Sequence, residues 1–214
     1  MKILLINPNT NEDTTRMMVS IARQHAPQHW NMVGLTQRNS ATVINTPELL
    51  EIARQEILMR AAQGEFEDVD AVIVSAFGDP ALEALRSALA VPVVGIGESA
   101  IQAAMHLAQP FAIVSITPQL SQSTQAQVER VGGLPLFAGI YYTSDNDVFD
   151  KPGERTLADD ITQAANRALN QARVSTLIIA GGPLANIASH LVLDSACRVI
   201  QPLPCAVNKL VALM

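Results

Sequence analysis

The sequence predicts an α/β protein of two pseudosymmetric lobes, each a parallel sheet flanked by helices. Three observations lead there. Aliphatic runs of strand length alternate with stretches of helical period along the whole chain, as in parallel sheets covered on both faces. Two strand-end turns, Asn7-Pro8 and the Ser75 to Pro80 segment, recur in the same order as Thr117-Pro118 and the Ala180 to Pro183 segment. No low-complexity linker separates the two copies, and residue identity between them is weak, so the repeat is one of pattern.

Taken in order, residues 3–6 form the first strand, four aliphatics stopped by Asn7-Pro8. A helix over 14–26 follows, capped from Asn11 or Asp13, and then a weaker strand at 32–35. Thr46-Pro47-Glu48 supplies a cap, a first-turn proline and a first-turn acid for a helix reaching Gln63. Residues 71–74 are a buried strand, 80–88 a helix with Pro80 in its first turn, 91–95 a strand and 99–107 a helix. The pattern then restarts. A strand at 111–116 ends at Thr117-Pro118, and a helix runs to Arg130. A strand at 138–142, a helix at 155–171 and a buried strand at 176–180 follow. A helix from Leu184, a short strand at 198–200 and a last helix from about Cys205 complete the chain. The Asp-, Asn- and Ser-rich stretch 141–153 is irregular, either a lid or a solvated connection. The lobes divide as 1–96 with 203–214, and 97–202.

Composition narrows the function. Of 214 residues, 49% are hydrophobic and 16% charged, which suits a globular protein, while 4% aromatics leave its core to aliphatics. The net charge of −6 and the lack of any Lys/Arg run longer than two argue against nucleic acid or an anionic membrane as partner. The opening apolar run stops at Asn7-Pro8-Asn9, too early for a signal peptide, and no stretch reaches about 18 apolar residues. A cytoplasmic location is expected. Cys197 and Cys205, with His25, His29, His106 and His190, show no ligand spacing, so neither a metal nor a disulfide framework is expected.

In an open parallel sheet, ligands bind beyond the carboxyl ends of the strands. The residues there are therefore the site candidates. Asn7, Asn9 and Thr10 either orient a ligand or serve the loop, with Asn9 or Asn11 capping the helix. Gly78 permits close backbone approach, and Asp79 stands where it would cap the following helix. Ser75 is a strand-end hydroxyl outside any G-x-S-x-G elbow. Thr117 and Pro118, with Gly181 and Gly182, are their counterparts in the second half. Cys197 reads as a small core residue. Cys205, near a helix start that would lower its pKa, is either buried and inert or a reactive thiol.

Four segments carry a family resemblance. Ile6-Asn7-Pro8-Asn9-Thr10 resembles the I-N-P-N-[ST] opening of the aspartate/glutamate/hydantoin racemase superfamily. Val72-Ile73-Val74-Ser75-Ala76-Phe77-Gly78-Asp79-Pro80-Ala81-Leu82 resembles its V-I-A-C-F-[GD]-D-P-G-L motif. Pro92-Val93-Val94-Gly95-Ile96-Gly97-Glu98-Ser99-Ala100 is similar to P-V-V-G-I-x-E-A-A, and the segment from Leu177 to Ala185 takes the place of L-I-L-G-C-A-G-M-A. The hydantoin/allantoin branch is the nearest in pattern. The resemblance implies a cleft between the two lobes, cofactor-independent chemistry, a small-molecule substrate and a homo-oligomer. It implies pocket positions at Asn9, Phe77, Gly78 and Thr117, and acid/base positions where the family carries two cysteines. Here those positions hold Ala76 and Gly181. With Ser75, Ala76, Pro118, Gly181 and Gly182 added from the strand ends, these make the expected binding set.

Neither Ala76 nor Gly181 can transfer a proton. The sequence reading is therefore an enzyme acting on a small carboxylate, hydantoin-like imide or ureide by changed chemistry, as a lyase, decarboxylase or hydrolase. The alternatives are a racemase using substitute groups such as Ser75, Thr117 or a relocated Cys205 thiol, and an inactive ligand-binding homologue.

Overall fold

The computed structural model describes residues 1–143, 157–181, 184, 186–187, 191–193 and 196–214. Its first sheet holds β1 (Lys2–Asn7), β2 (Asn31–Thr36), β3 (Ala71–Val74) and β4 (Val93–Gly95) in the order β2-β1-β3-β4. Its second holds β5 (Phe111–Ser115), β6 (Phe137–Tyr142), β7 (Thr176–Ala180) and β8 (Arg198–Ile200) in the order β6-β5-β7-β8. All pairings are parallel. The two orders are the same once each half is counted from its own first strand, so the repeat seen as a pattern is a repeat of topology.

The helices are α1 (Glu12–His25), α2 (Pro47–Ala62), α3 (Leu82–Ala88), α4 (Ile96–Met105), α5 (Ser121–Arg130), α6 (Leu157–Ala172) and α7 (Pro202–Leu213). Side chains alternate across a strand, and both faces of β1 are covered. Ile3 and Leu5 pack with α1 and α7, whereas Leu4 and Ile6 pack with α2 and α3. In the second sheet Ala112 and Val114 face α6, and Phe111 and Ile113 face α4. Burial on both faces is why these strands read as unbroken aliphatic runs. Helix α7 completes the first sheet's core through Leu203, Ala206, Val207 and Leu210. Helix α4 spans the two cores, Ile96 entering the first and Ala100, Ile101 and Ala104 the second. The 96/97 boundary thus falls in its first turn.

Local capping accounts for two helix starts. Asn11 Oδ1 accepts the Thr14 N–H at 3.1 Å, and Thr46 Oγ1 accepts the Leu49 N–H at 3.3 Å. Two other starts differ from expectation for one reason. Asp79 does not cap α3, which begins at Leu82 rather than residue 80, after an Ala81 with φ of 66° and no side-chain cap. Asp79 caps α4 instead: Oδ1 accepts the Gly97 N–H at 2.9 Å and Oδ2 the Glu98 N–H at 2.6 Å. With its first N–H groups satisfied from eighteen residues upstream, α4 starts directly after β4, at Ile96 rather than 99. The carboxylate fills the space where a Cβ at Gly95 would stand, 2.3 Å from Asp79 Cγ, and a Cβ at Gly97 would lie 1.9 Å from Phe77 O. Both glycines are required by this close approach.

Helix α7 starts at Pro202, not near Cys205, because proline in the first turn gives up an N–H that has no helical partner. The chain after Thr117 makes a 3₁₀ turn, Pro118–Leu120, before α5. Most of the stretch 141–153, and much of the helix expected from Leu184, lie outside the described residues. Among the described residues no helix is long and apolar enough to cross a membrane, and no three His, Cys, Asp or Glu side chains cluster as a metal site.

Charges gather around Asp79. Glu98 pairs with Arg86 at 2.9 Å and with Lys209 of α7, and Arg130 of α5 pairs with Glu83 at 2.9 Å. Burial works against charge on Glu98, but the hydrogen bonds from Arg86 and Lys209 outweigh it and hold the carboxyl at about 2. Burial pushes Asp79 the other way, up to about 7, against the pull of the Glu98 and Gly97 N–H groups. Between the ordinary value of 3.8 and 7 the folded chain thus keeps a proton that the unfolded chain sheds. Asp79's share of stability is full below that window and declines as pH rises through it. The stability difference between the parent and Asp79→Asn, from urea unfolding, should therefore be larger at pH 5 than at pH 8. A difference independent of pH would contradict this assignment.

Candidate ligand cleft between the lobes

The carboxyl ends of β1 and β3 face those of β5 and β7 across a cavity of about 80 Å³, a size for a small molecule rather than a peptide. Register aligns these ends. Ile6 pairs with Val74, and Ser115 with Ala180, so Asn7, Ser75, Ile116 and Gly181 all emerge at the cleft.

On the first wall, the Asn7 side chain is a buried hub. Its Nδ2 donates to Asn9 Oδ1 at 2.7 Å and to Thr15 Oγ1 at 2.9 Å, and its Oδ1 accepts the Asn9 N–H at 3.2 Å. Asn9 Oδ1 also accepts the Asn11 N–H at 2.9 Å. That leaves the Asn9 amide nitrogen without a protein partner among the described residues, at the cleft wall. Asn11 is the cap, and Asn9 sits at the cleft wall. Beside it, the Asp79 N–H closes a turn on Ala76 O at 3.0 Å. The Phe77 and Gly78 N–H groups in that turn carry no protein hydrogen bond among the described residues. A Cβ at Gly78 would meet Leu50 Cδ2 at 3.0 Å.

On the second wall, Ser115 Oγ lies 3.1 Å from Thr117 Oγ1 and accepts the Thr117 N–H at 3.3 Å. Ser123 and Thr124 add hydroxyls from α5, and Ile116, Leu120 and Ala180 add apolar surface. Val43 and Ile44 roof the cleft from the loop after β2. Glu56 Oε1 anchors that loop by accepting the Arg38 and Asn39 N–H groups at 2.6 and 2.9 Å, and Thr10 N–H donates to Ala41 O at 3.0 Å.

Of the residues expected from sequence, Asn9, Ser75, Ala76, Phe77, Gly78, Thr117 and Gly181 all line the cleft. Three of the named groups stand away from the cavity. Ser75 Oγ donates to Met18 Sδ at 3.0 Å, so its hydroxyl is turned into the first lobe's core. Pro118 is not a lining residue, because the 3₁₀ turn it begins carries it past the cavity. Cys205 packs against the second sheet's core rather than the cleft, and burial pushes its thiol up to about 11, opposite to a helix-start effect. Cys197 packs at the other face of that sheet. Gly182 lies outside the described residues.

The sequence reading missed Ser115, which carries the same strand-end signal as Ser75. It also missed Val43, Ile44, Ser123 and Thr124, which carry no local signal. Among the described lining residues none is an acid, a base or a thiol.

The architecture defines a class: a two-lobed, twofold-repeated parallel α/β protein with a cleft at the facing strand ends. The profile of the Asp/Glu/Hydantoin racemase family matches residues 3–210, and the chain belongs to that family. It is 26% identical over 207 residues to the hydantoin racemase of Paenarthrobacter aurescens, covering 96% of this chain and 88% of that protein. Allantoin racemase from Klebsiella pneumoniae is similar in structure with a TM-score of 0.88 and 26% identity, over 100% of this chain and 87% of that one. Allantoin racemase from Pseudomonas fluorescens shares the fold, with a TM-score of 0.90 at 22% identity, over 100% and 90% of the two chains.

The two positions that the resemblance gives to cysteines differ in what they accept. Gly181 has φ of +146°, and its Cβ would lie 3.2 Å from Leu184 Cγ, so any side chain there is strained. Gly181→Cys should lose about 1–3 kcal/mol of stability by urea unfolding. Ala76→Cys, without that backbone conflict, should change it by about 1 kcal/mol or less. Equal losses at the two positions would contradict the backbone argument.

Proposed function

We propose that the chain acts on a neutral cyclic ureide of the hydantoin or allantoin type, bound between the lobes, as a racemase-family enzyme that works without a thiol pair. The observation that carries the substrate class is the uncharged lining. Asn9, the free Phe77 and Gly78 N–H groups and the Ser115–Thr117 hydroxyls offer hydrogen bonds, and no lining cation is present among the described residues to pair with a carboxylate. A ring of alternating C=O and N–H groups suits such a surface, whereas an amino-acid dicarboxylate does not.

The names of the relatives support racemisation over the lyase, decarboxylase or hydrolase reading. Racemisation requires a proton to leave the carbon beside a carbonyl on one face and return on the other. Of the substitute groups suggested by the sequence, Thr117 keeps its hydroxyl at the cleft, joined to Ser115, while Ser75 and Cys205 do not face it. In this reading the Ser115–Thr117 pair relays the proton from the ring carbon to solvent water on the second-wall face, a water molecule returns one on the opposite face, and the donors of the first wall hold the carbonyl as charge develops on it.

The experiment is incubation in deuterium oxide with allantoin and a panel of 5-substituted hydantoins, following deuterium at the ring carbon by NMR. The expected result is exchange above the uncatalysed rate, falling by about 10²-fold or more in Thr117→Val. A second reading, a ligand-binding homologue without turnover, draws on the same absence of an acid, base or thiol among the described lining residues. It expects a raised melting temperature with these ligands and no exchange. Neither exchange nor stabilisation across the panel would remove the substrate class itself.

A further inference from the structure

Asp79 is not a cleft-lining residue, yet it joins the elements that are. Its N–H closes the Ala76–Asp79 turn, whose free N–H groups face the cavity. Its carboxylate holds the first turn of α4, the helix that runs from one core into the other. Its Oδ2 also accepts Gln127 Nε2 of α5 at 2.6 Å. Gln127 lies one turn along from Ser123 and Thr124, which line the opposite wall. Gln127 is 4% exposed, and its Oε1 has no partner among the described residues. Among the described residues Asp79 therefore supplies the one hydrogen bond that orients this buried amide. Phe77 O and Gln127 Nε2 both crowd the position of a Cβ at Gly97, at 1.9 and 2.4 Å. Turn, α4 and α5 thus meet at a single point with no room for a side chain.

We propose that Asp79 is an interlobe pin, a positioning residue that sets the separation of the two cleft walls through Gln127 and thereby the affinity for ligand. The affinity part rests on the cleft being the ligand site. The separation part does not. The bond crosses from the end of β3 in the first lobe to a helix of the second. Both partners are buried, so losing the bond frees one wall relative to the other.

Gln127→Met keeps the length of the side chain and leaves both Asp79 bonds to α4 intact, so the test does not depend on a variant that fails to fold. Nitroxide labels at Glu48→Cys and Gln125→Cys, exposed positions on α2 and α5, report the wall separation in a Cys197→Ala/Cys205→Ala background by pulsed electron resonance. Calorimetry reports the dissociation constant for hydantoin. The expected result is a broader, longer distance distribution in Gln127→Met and about a tenfold weaker hydantoin complex, the order of one buried hydrogen bond. An unchanged distance distribution overturns the pin. So does a Gln127→Met protein that is less heat-stable but keeps the parent's affinity, because that is a structural role alone. If the parent itself binds neither hydantoin nor allantoin, the reading of the cleft fails, and the distance distribution still decides the pin.

Discussion

The Asp79 carboxylate is the constraint on which the arrangement of this molecule depends. It satisfies the N–H groups at the start of α4 and a buried amide of α5, and it follows directly on the turn that forms one cleft wall. A carboxylate in such a place is costly to desolvate unless it is hydrogen-bonded, and here two backbone donors and one side-chain donor bind it. Gly95 and Gly97 are glycine because the carboxylate, the Phe77 carbonyl and the Gln127 amide occupy the room their side chains would need. A short, tightly packed junction between the lobes is the result, and the cavity opens beside it.

The cleft works by direction of dipoles rather than by charge. Its walls present an amide nitrogen, backbone N–H groups in a turn and linked hydroxyls, set against Val43, Ile44, Leu50 and Leu120. Charged side chains are held elsewhere, in the Glu98–Arg86–Lys209 set and in surface pairs such as Arg54–Glu51. In the proposed reading this lining suits a neutral ring with its own donors and acceptors. That fits membership of a racemase family whose hydantoin and allantoin racemases resemble this chain in sequence or structure.

The two positions that the resemblance gives to cysteines differ in kind. Ala76 departs by a side chain alone, in a turn that retains its hydrogen bond to Asp79. Gly181 departs in the backbone as well, since its φ lies where an L side chain is strained. The second wall is thus shaped for a glycine, and its polar surface comes from Ser115 and Thr117 instead. Cys205, the thiol nearest in sequence terms to a replacement, is sunk in the second lobe's core, where burial disfavours its ionised form.

The sequence by itself determined the elements whose causes are local. The strands Ala71–Val74, Thr176–Ala180 and Arg198–Ile200 were legible to the residue, because each is an apolar stretch stopped by residues that break a strand. Thr46 was legible as a cap, and Asn11 as one of the candidates, because a cap and the N–H that donates to it lie within one turn. The strand ends also marked most of the cleft, since a parallel sheet delivers all its carboxyl ends to one side. Only the tertiary structure decided the rest. The start of α4 depends on a carboxylate eighteen residues away, and the roof from Val43 and Ile44 on a loop held by Glu56 from the next helix. The direction of the Ser75 hydroxyl and the burial of Cys205 depend on the packing around them. These are contacts between segments that meet only once both sheets have formed, and no pattern within a single segment encodes them.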